Sequence, residues 1–209
     1  MMHKRLEKRK KAGVNLAVFA SGNGSNFSAI VRASRQGRIK VSSLILVCDN
    51  PEGFVLERAR KAGVRVILAS RRDFSSRRDF EAAIIQRLRY YKINLIALAG
   101  FMRMLSPGFV KKYRHRIINI HPSLLPAFKG ADAIKDALVH KASFTGVTVH
   151  FVDEEMDHGP VIMQKRIMIG SGEGLASLEK RIHRLEHRMY PQVIRSLCGR
   201  KVKPGKGRC

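Results

Sequence analysis

The sequence predicts an α/β fold built on a doubly wound, mostly parallel sheet with a Rossmann-like N-terminal half, and two observations carry that prediction. Short apolar runs alternate with helical patterns four times between Asn15 and Tyr113, which is the rhythm of strand, crossover helix and parallel strand. The first run also opens through a glycine loop, Ser21-Gly-Asn-Gly-Ser-Asn26, directly into a helix.

The elements follow in order. Asn15–Ala20 (NLAVFA) is the first strand, and Phe27, Ile30 and Val31 can share one face of the helix after the loop. A strand, glycine loop and helix put free backbone N–H groups and the positive end of a helix dipole at one spot, which suits a phosphate. Three readings of the loop stay open here. It meets the first half of G-x-G-x-x-G, with Asp49 placed as a ribose-binding acid, but Phe27 stands where the third glycine belongs. Ser25 and Asn26 fit a single terminal phosphate, and a tight turn alone also needs glycine.

Val41–Val47 is the second strand, Phe54–Ala62 a helix stopped by Gly63, and Val64–Leu68 the third strand. Ser76–Tyr91 is a helix with Ser76 and Asp79 spaced as an N-cap pair. Ile93–Ala99, the most apolar run, is the expected central strand. After Gly100–Leu105, Ser106 and Pro107 start a short helix to about Tyr113.

The stretch Arg116–Ser123 holds the fifth strand, which should stop at Pro122. Ile117, Ile118 and Ile120 read as buried, while Asn119 and His121, two residues apart, point to one side of the pleat. Pro122 cannot donate to a ladder, so both polar side chains fall at the carboxyl end of the strand. Ligands of open α/β sheets bind at that end. An isolated pair of this kind is more often two satisfied polar groups at a strand terminus.

Beyond Pro126 the rhythm changes. Asp132–Lys141 reads as a helix, Thr145-Gly146 as a turn and Val147–Val152 as an alternating strand. An acidic loop, Asp153-Glu-Glu-Met-Asp-His-Gly159, precedes a strand from Val161 to about Ile169, and Leu175–Cys198 is the last helix, with Pro191 a candidate kink. The loop reads as a solvated turn or as the source of a carboxylate for His121, with Asp157 the best placed. His183-Arg-Leu-Glu-His187 matches a zinc-protease pattern, but no third ligand accompanies it, so no metal is expected.

Composition excludes several classes. Lys+Arg 41 against Asp+Glu 16 leaves +25 over 209 residues, a balance that points to anionic partners. Residues 1–13 and 198–209 hold +5 each, and the remainder is scattered along the chain. No basic stripe is interleaved with aromatics, so specific nucleic-acid readout is not expected. Cys48, Cys198 and Cys209 lack metal or redox spacing, which fits a reducing cytoplasm. No apolar run nears the roughly 20 residues of a membrane span, and the N-terminal tail has no secretory core.

The glycine loop, Ala99-Gly-Phe-Met-Arg-Met-Leu-Ser106, Asn119-Ile-His-Pro-Ser-Leu-Leu-Pro126, Gly146-Val-Thr-Val-His-Phe-Val152, Met156-Asp-His-Gly-Pro160, Glu186-His187 and Tyr190-Pro191 together resemble the phosphoribosylglycinamide formyltransferases, folate-dependent enzymes of purine synthesis. The likeness runs from about Asn15 to Leu197. It implies one formyltransferase domain over 14–197, with a phosphate-binding half (about 14–113) and a folate and catalytic half (about 114–197); the basic tails at 1–13, expected from composition to be disordered, and at 198–209 are unlike a typical member. It implies Asn119, His121 and Asp157 as catalytic residues, and Gly24, Ser25, Asn26 and Glu186 as the phosphate and ribosyl site, with His183 near the phosphate. Arg77, Met102, Arg103, Met104, Leu105 and Asn119 match folate-contacting positions. The co-substrate implied is 10-formyltetrahydrofolate, with no metal, no membrane and a monomer or homodimer in the cytoplasm. Asn119, His121 and Asp157 recur in methionyl-tRNA formyltransferase and formyltetrahydrofolate deformylase, so the glycine loop is the discriminator.

Overall fold

The computed structural model describes residues 13–198; the basic tails on either side, and Cys209 with them, lie outside the described residues. Strands β1 (Val14–Phe19), β2 (Val41–Cys48), β3 (Arg65–Leu68), β4 (Leu95–Leu98), β5 (Ile117–His121), β6 (Phe144–Phe151) and β7 (Val161–Met168) form one sheet in the order β3-β2-β1-β4-β5-β6-β7. The first five are parallel, and β6 and β7 add antiparallel edges.

Burial on both faces explains the continuous apolar runs. Leu16 and Val18 of β1 join one core with Phe27, Ile30, Ile182 and Tyr190, while Ala17 and Phe19 join the other with Phe80, Ile84, Leu88 and Phe109. Helices α1 (Ser25–Arg35), α2 (Val55–Lys61) and α6 (Leu175–Leu197) feed the first core, and α3 (Arg77–Tyr90) and α4 (Pro107–Lys112) the second. The sheet is therefore doubly wound, and β4 lies at its centre as its composition predicts. Ser76 caps α3 by accepting from the Asp79 amide, and Ser106 caps α4 ahead of Pro107. A short helix α5 (Ala133–Val139) packs against α6 and β6.

Two side chains seat the last helix beneath the site. Pro191 lies inside α6 and is buried. Tyr190 is fully buried, and its hydroxyl lies 2.6 Å from the Leu98 carbonyl and 3.1 Å from that of Ile118. The ends of β4 and β5 are thus tied to α6. Among the described residues no helix is long and apolar enough to cross a membrane.

The expected turn at Thr145-Gly146 is instead part of β6. Glycine is needed there for close approach, since a Cβ would fall 2.1 Å from the Lys165 carbonyl oxygen and 2.5 Å from Leu124 Cδ2. The carbonyl, being backbone of the adjacent strand, cannot retreat cheaply. Gly146→Ala is expected to destabilise the fold by about 3 kcal/mol, read as a lower denaturation midpoint at unchanged slope.

Candidate active site

β5 delivers its polar pair as the spacing predicts. His121 is 4% exposed at the strand end and Asn119 is half-buried. The acidic loop folds back over them, so that Asp157, at φ 49°, places Oδ2 3.4 Å from His121 Nδ1 and Oδ1 3.3 Å from Asn119 Nδ2. His121 Nε2 lies 2.8 Å from the Phe128 carbonyl. A carbonyl only accepts, so Nε2 carries a hydrogen and Nδ1 is the nitrogen turned to the carboxylate. The Gly130 amide also donates to Asp157 Oδ2, at 3.0 Å. Burial works to raise the Asp157 carboxyl, but His150, the Gly130 amide and the charge of His121 outweigh it and hold the group below its usual range.

His150 is the member the sequence reading passed over. It is 2% exposed, pairs across the ladder with Asn119, and stands 3.3 Å from Asn119 Nδ2 and 3.7 Å from Asp157 Oδ1. Its Nδ1 faces the Phe151 carbonyl at 2.9 Å, so Nδ1 donates and Nε2 accepts from Asn119. Both amide hydrogens of Asn119 are thereby assigned, one to His150 and one to Asp157. The signal in the sequence was the histidine within Val147–Val152, but only the register of β5 against β6 gives it meaning.

On the other side of the cleft the glycine loop turns into α1. Gly24 takes φ 76° at the N-cap, where a Cβ would also meet Val55 Cγ2 at 2.5 Å. Arg58 braces the loop through the Asn23 backbone oxygen at 2.7 Å and its side-chain oxygen at 3.0 Å. Asn26 donates to Glu186 Oε2 at 2.9 Å, and His183 Nδ1 meets the same oxygen at 2.9 Å. Glu186 is 3% exposed. Asn26 Oδ1, also buried, has no hydrogen-bond partner, an acceptor left for whatever fills the cleft.

The Glu186 hydrogen bond raises the His183 pKa, while burial lowers that of His187. His183 therefore contributes stability that is complete below its unfolded value of about 6.5 and fades as pH rises through the higher folded value. His187 acts below about 6.5, where it must charge against burial. Glu186→Gln is expected to flatten the decline in unfolding free energy above about pH 7, measured by denaturant titration at each pH. The two rings stack at 6.4 Å with Glu186 turned to Asn26, and among the described residues no cluster of three metal-ligating side chains occurs.

Asp49 does not face a ribose. It is 6% exposed, accepts from Ser21 Oγ at 2.6 Å, and pairs with Arg103 Nε at 2.5 Å. Ser21 Oγ in turn accepts from the Met102 amide at 3.0 Å. The dinucleotide reading is corrected by this: the acid is spent holding the 100–105 loop against the glycine loop.

One cleft of about 1050 Å³ gathers Gly24, Ser25, Asn26, Met102, Arg103, Met104, Leu105, Asn119, His121, Asp157 and Glu186. Lys180 and Arg184, one turn apart on α6, line it too, and no sequence signal had singled them out. Arg77 lies outside, lining a neighbouring cavity of about 300 Å³ that shares the 101–105 loop. Its guanidinium donates to the Met104 carbonyl at 2.6 Å and pairs with the buried Glu81 at 3.3 Å. Arg77 thus bears on the cleft through the loop it holds.

A family profile described as formyl transferase matches residues 14–194. Phosphoribosylglycinamide formyltransferase of Bacillus subtilis (strain 168) is 47% identical over 183 residues, 88% of this chain and 94% of that protein. The trifunctional purine biosynthetic protein adenosine-3 of Gallus gallus is 38% identical over 92% of this chain, which spans only 19% of that longer protein. Among solved structures, glycinamide ribonucleotide transformylase 1 from Geobacillus kaustophilus superposes with a TM-score of 0.87 at 49% identity, covering 90% of this chain and all of that one.

Proposed function

The chain belongs to the formyl transferase family, and from that membership we propose that it transfers a formyl group from 10-formyltetrahydrofolate to the amine of 5'-phosphoribosylglycinamide, in de novo purine synthesis in the cytoplasm. It does so as a single domain over 14–197, acting as a monomer or homodimer. One observation carries the reading: the Asn119, His121 and Asp157 cluster opens into the same cleft as the N-terminus of α1 with Asn26 and Glu186. A phosphate at Gly24, Ser25 and Asn26 meets free helix N–H groups, and Glu186 orients the ribosyl end. The folate lies against Met102, Arg103, Met104, Leu105 and Asn119, with Arg77 setting the course of that loop.

The chemistry follows from moving a formyl group by direct amine attack. Negative charge grows on the formyl oxygen, and donors aimed at it lower the barrier. Asn119 supplies one by redirecting a hydrogen now held by His150 or Asp157. The amine must lose a proton and the folate nitrogen must gain one, which is the work of the His121 and Asp157 pair. Asp157, held ionised, faces His121 Nδ1 at 3.4 Å and orients the ring. His150 keeps Asn119 and Asp157 in register, and no covalent nucleophile is needed.

The test is formyl transfer by the purified chain to glycinamide ribonucleotide, run beside formylation of initiator methionyl-tRNA and hydrolysis of 10-formyltetrahydrofolate. Turnover with the ribonucleotide alone is expected. Methionyl-tRNA as the preferred acceptor, or hydrolysis without an acceptor, overturns the assignment in favour of the two sister activities.

A further inference from the structure

The fold gathers a charge that the sequence leaves scattered. In a parallel sheet, connections from each helix to its next strand run at the amino-terminal edge, opposite the ligand cleft. Here those connections, with the last turns of α1 to α4, span residues 32–41, 58–65, 87–95 and 110–117. They contain 15 Lys or Arg, of which Arg58 turns back to the glycine loop, and no Asp or Glu. Among the described residues only one of the 15, Lys61, has an acidic partner, Glu57 at 2.6 Å. Five of the acids line the cleft instead: Asp153, Glu155, Asp157, Glu179 and Glu186.

The basic groups form a row. Along the edge, β3, β2, β1, β4 and β5 are consecutive, and Arg65, Lys40, Lys92 and Arg116 stand at the entrances to four of them. At about 4.8 Å per strand the row is roughly 19 Å long. The remaining strand, β1, follows residues 1–12, which hold six Lys or Arg and one Glu. Cys198, the last described residue, lies against the backbone of Val14 and Lys40 at this edge, and the sequence that follows it, 199–209, holds five Lys or Arg and no acid.

Aromatic rings lie within the row. Tyr90 is 74% exposed and meets Tyr91 edge to face at 4.9 Å. Arg65 lies over the Tyr91 ring at 5.3 Å, and Arg116 over Tyr113 at 5.1 Å. Helix dipoles account for basic last turns, but not for Arg38, Lys40, Lys92, Arg114 and Arg116 beyond the helices, nor for an exposed ring among them. Of the large exposed apolar side chains only Tyr90 falls in these segments, which disfavours insertion into a lipid surface. We propose that this edge, remote from the cleft, binds single-stranded RNA without sequence preference, its cations on phosphates and Tyr90 stacked on a base.

The test is fluorescence anisotropy of a labelled oligo(U) of about 20 nucleotides with the full chain across a KCl series. Arg38→Glu, Lys92→Glu and Arg114→Glu combined are expected to weaken binding at least about tenfold and to reduce the salt slope by about 2, at roughly 0.7 per lost phosphate contact. Lys135→Glu, Lys141→Glu and Lys165→Glu combined change the net charge equally on other faces, and should cost less than about threefold. Tyr90→Ala should cost about fivefold at unchanged salt slope. Formyl transfer by all of these variants should match the parent chain. Equal losses in the two triple variants, or binding to phosphatidylserine vesicles without binding to oligo(U), overturns the proposal.

Discussion

His121→Ala is expected to lower kcat by about 10³- to 10⁴-fold, with little change in the KM for either substrate, because proton transfer by a positioned group contributes in that range. Asp157→Asn should lower kcat by about 10²- to 10³-fold. The amide keeps the shape, but its single oxygen can accept from Asn119 or from Gly130 and not from both, and it carries no charge to offset one developing on His121, 3.4 Å away. The double variant should be little worse than His121→Ala, since residues that act as a unit are not additive. Stability gives an independent readout. Asp157 titrates below its unfolded value, so its contribution is present above the ordinary carboxylate range and is lost as pH falls through the folded value. Asp157→Asn should flatten that acid limb while the protein stays folded at pH 7. Near-parental kcat in both single variants removes the pair from the proton path, whatever the acceptor.

How much of this was legible in the sequence depends on the range of the contacts involved. The α/β rhythm, the strand break at Pro122 and the caps at Ser76 and Ser106 are local, and the structure repeats them. Asn119 and His121 were legible because a strand has period two. Asp157 was reached through an acidic loop and a family resemblance, and the structure brings it to that pair. His150 was out of reach because its meaning lies in an antiparallel register, which no single strand encodes. Gly146 misled for the same reason: glycine marks turns, but here it admits the Lys165 carbonyl of the adjoining strand. Asp49 sat where a ribose-binding acid belongs, and its partner Arg103, 54 residues on, was visible only after folding. The basic edge is the clearest instance, since cations spaced evenly along the chain become neighbours once four crossovers return to one side.

The glycine loop offers the second large effect, and a test in which affinity and stability move in opposite directions. Ser25→Asp places a carboxylate at the first position of α1, where the acceptor's phosphate is proposed to sit. An acid at a helix N-terminus is itself favourable, by about 0.3–1 kcal/mol, and α1 has no acidic residue in its first turn. The variant should therefore fold at least as stably as the parent. Against a bound phosphate the same charge is repulsive: unit charges about 4 Å apart interact by about 4 kcal/mol at an effective dielectric of about 20. Between half of that, where solvent screens the pair, and its full value, the KM for glycinamide ribonucleotide should rise by about 30- to 700-fold at about 1.4 kcal/mol per tenfold, with kcat at saturation within a fewfold of the parent. Glycinamide riboside, which lacks the phosphate, should bind parent and variant almost equally. That contrast locates the phosphate, because a general distortion of the cleft would weaken both acceptors alike. An unchanged KM for the ribonucleotide places the phosphate elsewhere, with the basic residues Lys180 and Arg184 lining the same cleft as the next site to alter.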